Sequence, residues 1–183
     1  MLLENPEVLN MLNKKIAFLS NLFYFCLYLW YIIAMEKIKQ VDLYTDGACS
    51  CNPGPGGWGC ILIYKKHEKE LSGYSAETTN NRMELTAVIK GLEQLKEKCE
   101  VNIYTDSAYV FNAFSQNWID VWQENNWKNS NKKEVLNIDL WQRLVDLVSN
   151  HIIHWNKVKG HADNEKNNRC DFLATNEIAK NTK

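Results

Sequence analysis

Residues 35–183 of this sequence predict an α/β domain that opens with a hairpin and reaches its parallel strands through helical crossovers. Three observations carry the prediction. Val41–Thr45 alternates apolar and polar side chains as a strand, and Trp58–Tyr64 and Lys69–Tyr74 look like a second and third strand in close succession. Leu85, Val88, Ile89, Leu92 and Leu95 then recur at helical spacing. Finally, Val41-Asp-Leu-Tyr-Thr-Asp46 is echoed by Val101-Asn-Ile-Tyr-Thr-Asp106, so one strand pattern ending in Asp appears twice with a helix between the copies.

The elements follow in order. Val41–Thr45 is the first strand. Asn52-Pro-Gly-Pro-Gly-Gly57 is a rigid turn with permissive glycines. The second and third strands form the hairpin. Thr78–Asn81 offers several N-caps for a helix running from Arg82 to about Lys98. Val101–Thr105 is the fourth strand, and short helical patterns run from Ser107 to Trp122. Gln123–Glu134 is polar and reads as a loop. Leu140, Trp141, Leu144, Val145 and Val148 mark another helix, Ile152–Val158 a fifth strand, and Lys166–Lys180 a closing helix.

The 183 residues carry 21 Lys plus Arg against 22 Asp plus Glu, a net charge of −1. That balance excludes a generic polycation that coats nucleic acid; any such binding must come from local placement of charge. Apolar residues make up 45%, which supplies a core and excludes disorder over most of the length. Six cysteines without a CxxC pair form neither a disulfide scaffold nor a zinc knuckle. They read as free thiols in a reducing compartment.

One segment departs from this average. Ile16–Met35 holds eighteen apolar or aromatic residues in twenty, interrupted only by Ser20 and Asn21. At about 1.5 Å per residue, a hydrophobic N-terminal helix of this length would just cross a bilayer core of roughly 30 Å. Lys14 and Lys15 precede it, and Lys37 and Lys39 follow it, so flanking charge sets no orientation. No small-x-small site precedes Met35, which argues against a cleaved signal peptide. Met35 is itself a potential start residue. Two readings therefore stand: residues 1–34 belong to a transmembrane anchor, or they are a non-native upstream extension ahead of a domain spanning 35–183. An anchored domain that works in the cytoplasm would have its N-terminus outside.

If the echoing strands are parallel neighbours, Asp46 and Asp106 stand side by side at the carboxyl edge of the sheet, where α/β folds bind ligands. Each also has an ordinary use, Asp46-Gly47 as a turn and Asp106-Ser107 as a helix cap. Glu84 in the first turn of its helix, and Asp171 opening the last helix, are ordinary partners for a helix dipole. Gathered at one edge, the four would repel one another and their pKa values would rise. An oxygen-only donor set of this kind suits Mg²⁺ or Mn²⁺ rather than zinc. Two such ions about 4 Å apart activate a water and stabilise a leaving oxygen in phosphodiester cleavage. His161, in the glycine-hinged turn Val158-Lys-Gly-His161, suits proton transfer near neutrality, although a loop His is often simply exposed. His151 and His154 read as structural and His67 as hairpin surface.

Taken together, Asp46-Gly47 with Asn52-Pro-Gly-Pro-Gly-Gly57, Thr79-Asn-Asn-Arg-Met-Glu-Leu85, Tyr104-Thr-Asp-Ser107, Trp141-Gln-Arg-Leu144, Val158-Lys-Gly-His161 and Asn168-Arg-Cys-Asp171 resemble type 1 ribonuclease H, the bacterial ribonuclease HI family. The resemblance spans about residues 35 to 178. It implies a ribonuclease H-like fold, a mixed five-stranded sheet flanked by helices. It implies an endonuclease, a phosphodiester hydrolase that cuts the RNA strand of RNA–DNA hybrids and leaves 5′-phosphate and 3′-hydroxyl ends. The family's metal-binding carboxylates fall on Asp46, Glu84, Asp106 and Asp171. By analogy Asp46 bridges two Mg²⁺ ions, for which Mn²⁺ substitutes. Asp171 then holds the ion of the attacking water, and Glu84 and Asp106 hold the other. His161 matches a mobile His that helps proton transfer or product release. Cys49, Asn52, Asn80 and Asn81 match positions that touch the hybrid, and Trp118 and Lys128 fall in the segment that resembles the family's basic handle. The expected partner is the hybrid alone. The expected protein is a cytoplasmic monomer that needs no protein partner and meets a membrane only if residues 16–35 are an anchor.

The match has two departures. Ala108 stands where relatives often carry a Gln that contacts the RNA strand. Gln123-Glu-Asn-Asn126 stands where well-known members are rich in Lys and Arg, which leaves Lys128, Lys132 and Lys133. Each lost phosphate contact weakens binding and flattens its salt dependence. The expectation is weaker hybrid affinity with the chemistry intact. Trp118, Trp122 and Trp127 read chiefly as a packing cluster. A non-catalytic module of the same fold would be expected to lose a carboxylate, and an integrase-like enzyme would lack both the Thr-Asn-Asn-Arg-Met-Glu run and the Trp-rich handle.

Overall fold

The computed structural model describes residues 38–159 and 164–182, together with positions 14–15, 19–20, 22 and 24–27. The chain divides into two units, Met1–Ile38 and Lys39–Lys183. In the first, the described positions between 14 and 27 are helical. Among the described residues no helix is long and apolar enough to cross a membrane. Most of Ile16–Met35, and the anchor reading with it, lies outside the described residues.

The second unit is built on five strands, β1 (Lys39–Cys49), β2 (Gly54–Tyr64), β3 (His67–Thr78), β4 (Cys99–Thr105) and β5 (Ile152–Lys157). Its helices are α1 (Asn80–Leu92), α2 (Ala108–Ser115), α3 (Trp118–Glu124), α4 (Ile138–Ser149) and α5 (Glu165–Asn181). The strands lie in the order β3-β2-β1-β4-β5. The first three pair antiparallel, while β1–β4 and β4–β5 are parallel. A meander followed by helical crossovers is the mixed α/β architecture that the sequence predicts.

The echoing strands are neighbours in register. Val41 pairs with Val101, Leu43 with Ile103 and Thr45 with Thr105. Period-2 alternation buries these six side chains in the core. The alternate positions take the other face, where the rings of Tyr44 and Tyr104 stack at 4.4 Å and Asn102 donates to Asp42. Helix α1 covers the first face through fully buried Leu85, Val88 and Leu92. Helix α5 covers the second, over β1, β2 and β3.

Several element boundaries differ from expectation. Helix α1 ends at Leu92 rather than near Lys98. Gln94 and Leu95 donate to the carbonyls of Gly91 and Leu92, which tightens the chain into a turn. The segment Lys96-Glu97-Lys98 offers no apolar face to bury, and Cys99 must already begin β4. The Pro-Gly run is also not a turn throughout, because Gly54–Gly57 belongs to β2. A Cβ on Gly57 would lie 2.1 Å from the carbonyl oxygen of Ala174, so bare backbone lets α5 rest directly on this strand.

The region from α2 to α4 packs around Trp141, which is fully buried. Trp122 meets it edge-on at 5.5 Å, and Trp118 tilts over Trp122 at 6.1 Å. The Tyr109 hydroxyl ties the cluster together. It accepts from Trp141 Nε1 at 3.0 Å and from Asn137 Nδ2 at 3.2 Å, and donates to the Leu136 carbonyl at 3.2 Å. All six cysteines are free thiols.

Candidate active site

Asp46 and Asp106 follow the paired Thr45 and Thr105 and so share the carboxyl edge of the sheet. Neither serves its ordinary purpose. Strand β1 continues through Asp46 to Cys49, so Asp46 makes no turn; its Oδ1 accepts the Gly47 N–H at 2.7 Å. Helix α2 is capped by Ser107, whose hydroxyl accepts the Val110 N–H at 3.2 Å, and not by Asp106.

The two helical acids are displaced from the dipole in the same way. Helix α1 starts at Asn80 under the cap of Thr79, and its first turn holds no acid. Glu84 therefore projects from the second turn. A Cβ on Gly47 would lie 2.3 Å from the Glu84 backbone nitrogen, so only glycine lets β1 pass close enough to set Asp46 beside Glu84. Asp171 does not open α5 either. It lies in the second turn, beyond the Asn164 cap, on the helix that rests on Gly57.

The electrostatics record this gathering. Burial pushes Asp46 up to about 7, the charges of Asp106 and Asp171 add to it, and the Gly47 N–H opposes. Burial pushes Glu84 up to about 8, Asp46 and Asp106 add to it, and Asn80 opposes. Asn80 Nδ2 donates to Glu84 Oε1 at 2.7 Å, while the Asn80 N–H donates to Asn52 Oδ1 at 3.2 Å. Among the described residues no three His, Cys, Asp or Glu side chains already close on one point as a metal cage. The donor chemistry nonetheless fits a hard divalent cation. Positive charge is what lets buried, mutually repelling carboxylates ionise near neutrality.

The other expected residues are distributed as follows. Cys49 ends β1 with its thiol turned toward the carbonyls of Cys51, Gly54 and Thr78, the last two at 3.6 Å. Asn81 is exposed beside Asn80. Trp118 is half-buried in the aromatic cluster, and exposed Lys128 pairs its backbone with that of Glu134 in an isolated antiparallel bridge between α3 and α4. His161 lies outside the described residues. His151 accepts the Cys99 N–H at 3.2 Å, and His154 meets Glu100 at 2.9 Å.

One residue at the site escaped the sequence reading. Arg82, two positions before Glu84, donates twice to Asp139, at 3.0 and 2.6 Å, and once to Asn137 at 3.3 Å. This clamp joins α1 to the start of α4. Arg82 sits inside the Thr-Asn-Asn-Arg-Met-Glu run, but nothing in the sequence marks Asp139 as its partner.

The chain matches the RNase H family model over residues 38–179. A ribonuclease H of Acetivibrio thermocellus is 63% identical over 146 residues, which cover 80% of this chain and 99% of that protein. A ribonuclease H of Thermoanaerobacter sp. is 58% identical over 148 residues, covering 81% and 96%. Among solved structures, LC9-RNase H1, a type 1 RNase H with the type 2 active-site motif, superposes with a TM-score of 0.70 at 28% identity, over 78% of this chain and 74% of that one. LC11-RNase H1 in complex with an RNA/DNA hybrid shares the fold, with a TM-score of 0.58 at 24% identity over 78% of this chain and 99% of that one.

Proposed function

The chain belongs to the ribonuclease H family, and from that premise we propose how its own residues cut the RNA strand of an RNA–DNA hybrid. Its activity is that of a ribonuclease H endoribonuclease. The observation that carries the proposal is the mutual repulsion centred on Asp46, which feels both Asp106 and Asp171 and in turn acts on Glu84. These four carboxylates would hold two Mg²⁺ ions, with Mn²⁺ as a substitute, which when bound polarise the scissile phosphate and acidify the attacking water.

The remaining roles belong to the protein. Asp46, coupled to the other three acids, would serve as a ligand to both ions. Asn80 orients Glu84 and favours its charged form. Cys49, Asn52, Asn80 and Asn81 offer neutral groups to the hybrid, which suit reading 2′-hydroxyls in a wide minor groove without reading sequence. Lys128 meets a phosphate and Trp118 supports the handle from which it does so. His161 assists proton transfer, and the products carry 5′-phosphate and 3′-hydroxyl ends. Residues 1–34 are a hydrophobic N-terminal extension of the 35–183 ribonuclease H domain, which works in the cytoplasm as a monomer without a protein partner. In this reading a real anchor in the apolar run 16–35 would bring the domain to a membrane.

Calorimetric titration of Mn²⁺ into the protein with an uncleavable hybrid tests the metal assignment. Two ions are expected for the wild type and fewer in Asp46→Asn. Full stoichiometry in that variant would refute the shared-ligand role.

A further inference from the structure

The end of the sheet remote from the carboxylates carries none of the residues assigned to the reaction above. Strand β1 begins there at Lys39, about 20 Å along the strand from Asp46. The β2–β3 hairpin and the α1–β4 loop meet at this end, where Lys39, Tyr64, His67, Lys69 and Lys96 line a common groove of about 330 Å³. Its floor is apolar, made by Val41, Leu62 and Leu95. Lys65 and Lys66 form the hairpin tip between the paired Tyr64 and His67, and Lys98 precedes Cys99, the partner of Lys39.

The charge here is one-sided. Lys65, Lys66, Lys96 and Lys98 are exposed and make no ion pair among the described residues. Of the acids at this end, Glu97 is engaged by Lys39 and Glu68 by Lys166, while Glu100 is held by Gln40 and His154. Tyr64 lies between two cations, with Lys39 Nζ 5.8 Å and Lys65 Nζ 5.1 Å from its ring centroid. In a chain of net charge −1, four uncompensated lysines are thus concentrated opposite the catalytic acids.

We infer that this basic end is a docking surface for the anionic lipid headgroups of a membrane. Lysines grouped around an interfacial aromatic residue are suited to a negatively charged bilayer surface. A nucleic acid would feel the same charge; position decides for the lipid. The run Ile16–Met35 ends four residues before Lys39, so an apolar segment of bilayer length leads into this end of the domain. Headgroup contact here leaves the carboxylate edge free for a hybrid.

Flotation of the full chain with phosphatidylcholine vesicles, with and without added phosphatidylglycerol, tests the inference. The variant K65Q/K66Q/K96Q/K98Q leaves residues 1–38 unchanged, so any insertion of the apolar run is common to both proteins. Each lysine near an anionic surface contributes roughly fivefold to binding. The wild type is expected to prefer the phosphatidylglycerol vesicles by at least about tenfold, less so in high salt. The variant is expected to lose that preference while cleaving free hybrid at the wild-type rate. Equal binding to both vesicles, or a preference that survives in the variant, overturns the inference. Loss of hybrid or duplex-DNA affinity in the variant would identify a nucleic-acid surface and overturn it equally.

Discussion

The side-chain amide of Asn80 donates to Glu84 Oε1 at 2.7 Å, one turn away on α1. It is the contact that works against burial, Asp46 and Asp106, which together hold Glu84 at about 8. A hydrogen bond to a charged group is worth about 1.5–3 kcal/mol. Asn80→Ala is therefore expected to push Glu84 up further. The acid limb of the pH–rate profile at low Mg²⁺ should move up with it, and an unmoved limb would show that Asn80 serves only the hybrid.

The same repulsion makes stability depend on pH. Asp46 and Glu84 have ordinary values of 3.8 and 4.5 that rise to about 7 and about 8 in the fold. Between those limits the unfolded chain binds fewer protons than the folded one, so stability falls as pH rises. In chelator at about pH 8, Asp46→Asn is expected to raise Tm by about 5 °C, with little effect near pH 4. Mg²⁺ should raise the wild-type Tm at the higher pH as well. Scanning calorimetry reads both effects, and a destabilised Asp46→Asn at pH 8 would contradict the electrostatic account.

Gly47 fixes how closely β1 approaches α1. A methyl group there would meet the backbone of Glu84 at 2.3 Å and of Met83 at 2.4 Å, neither of which can swing aside. Gly47→Ala is expected to cost about 3 kcal/mol or more in urea unfolding. It should also lower hybrid cleavage at least about a hundredfold by displacing Asp46 from Glu84. Near-normal activity would mean that the two carboxylates need not be held this closely.

Lys128, Lys132 and Lys133 are the exposed cations of the segment between α3 and α4. Replacing all three by Ala is expected to raise KM with kcat nearly unchanged. The slope of log affinity against log salt should flatten by about 0.7–0.9 for each phosphate contact removed. An unchanged slope would place the hybrid elsewhere on the surface.

The paired strands were legible in the sequence because alternation writes burial directly into residue order. The echo ending in Asp46 and Asp106 therefore announced both the register and the shared edge. Other features depend on contacts that no local pattern encodes. Gly47 reads as half of a turn until Glu84 is seen against it. Arg82 finds Asp139 across 57 positions of chain. The apolar period of α1 continues to Leu95, yet that side chain reaches the core from a turn and not from the helix. Glu84 resembles a dipole partner only if its helix starts at Arg82; the start at Asn80 moves it to the second turn. Asp171 lies well inside its helix whether that helix starts at Lys166 or at Glu165.

Whether the clustered carboxylates drive metal-dependent hydrolysis is read from cleavage of a labelled RNA–DNA hybrid by the wild type and by Asp46→Asn, with Mg²⁺ and with chelator. Duplex RNA and duplex DNA serve as controls. Cutting of the hybrid's RNA strand alone is expected, abolished both by chelator and by the substitution. Cutting that persists in Asp46→Asn, or that proceeds without divalent cation, would contradict that role for the carboxylates.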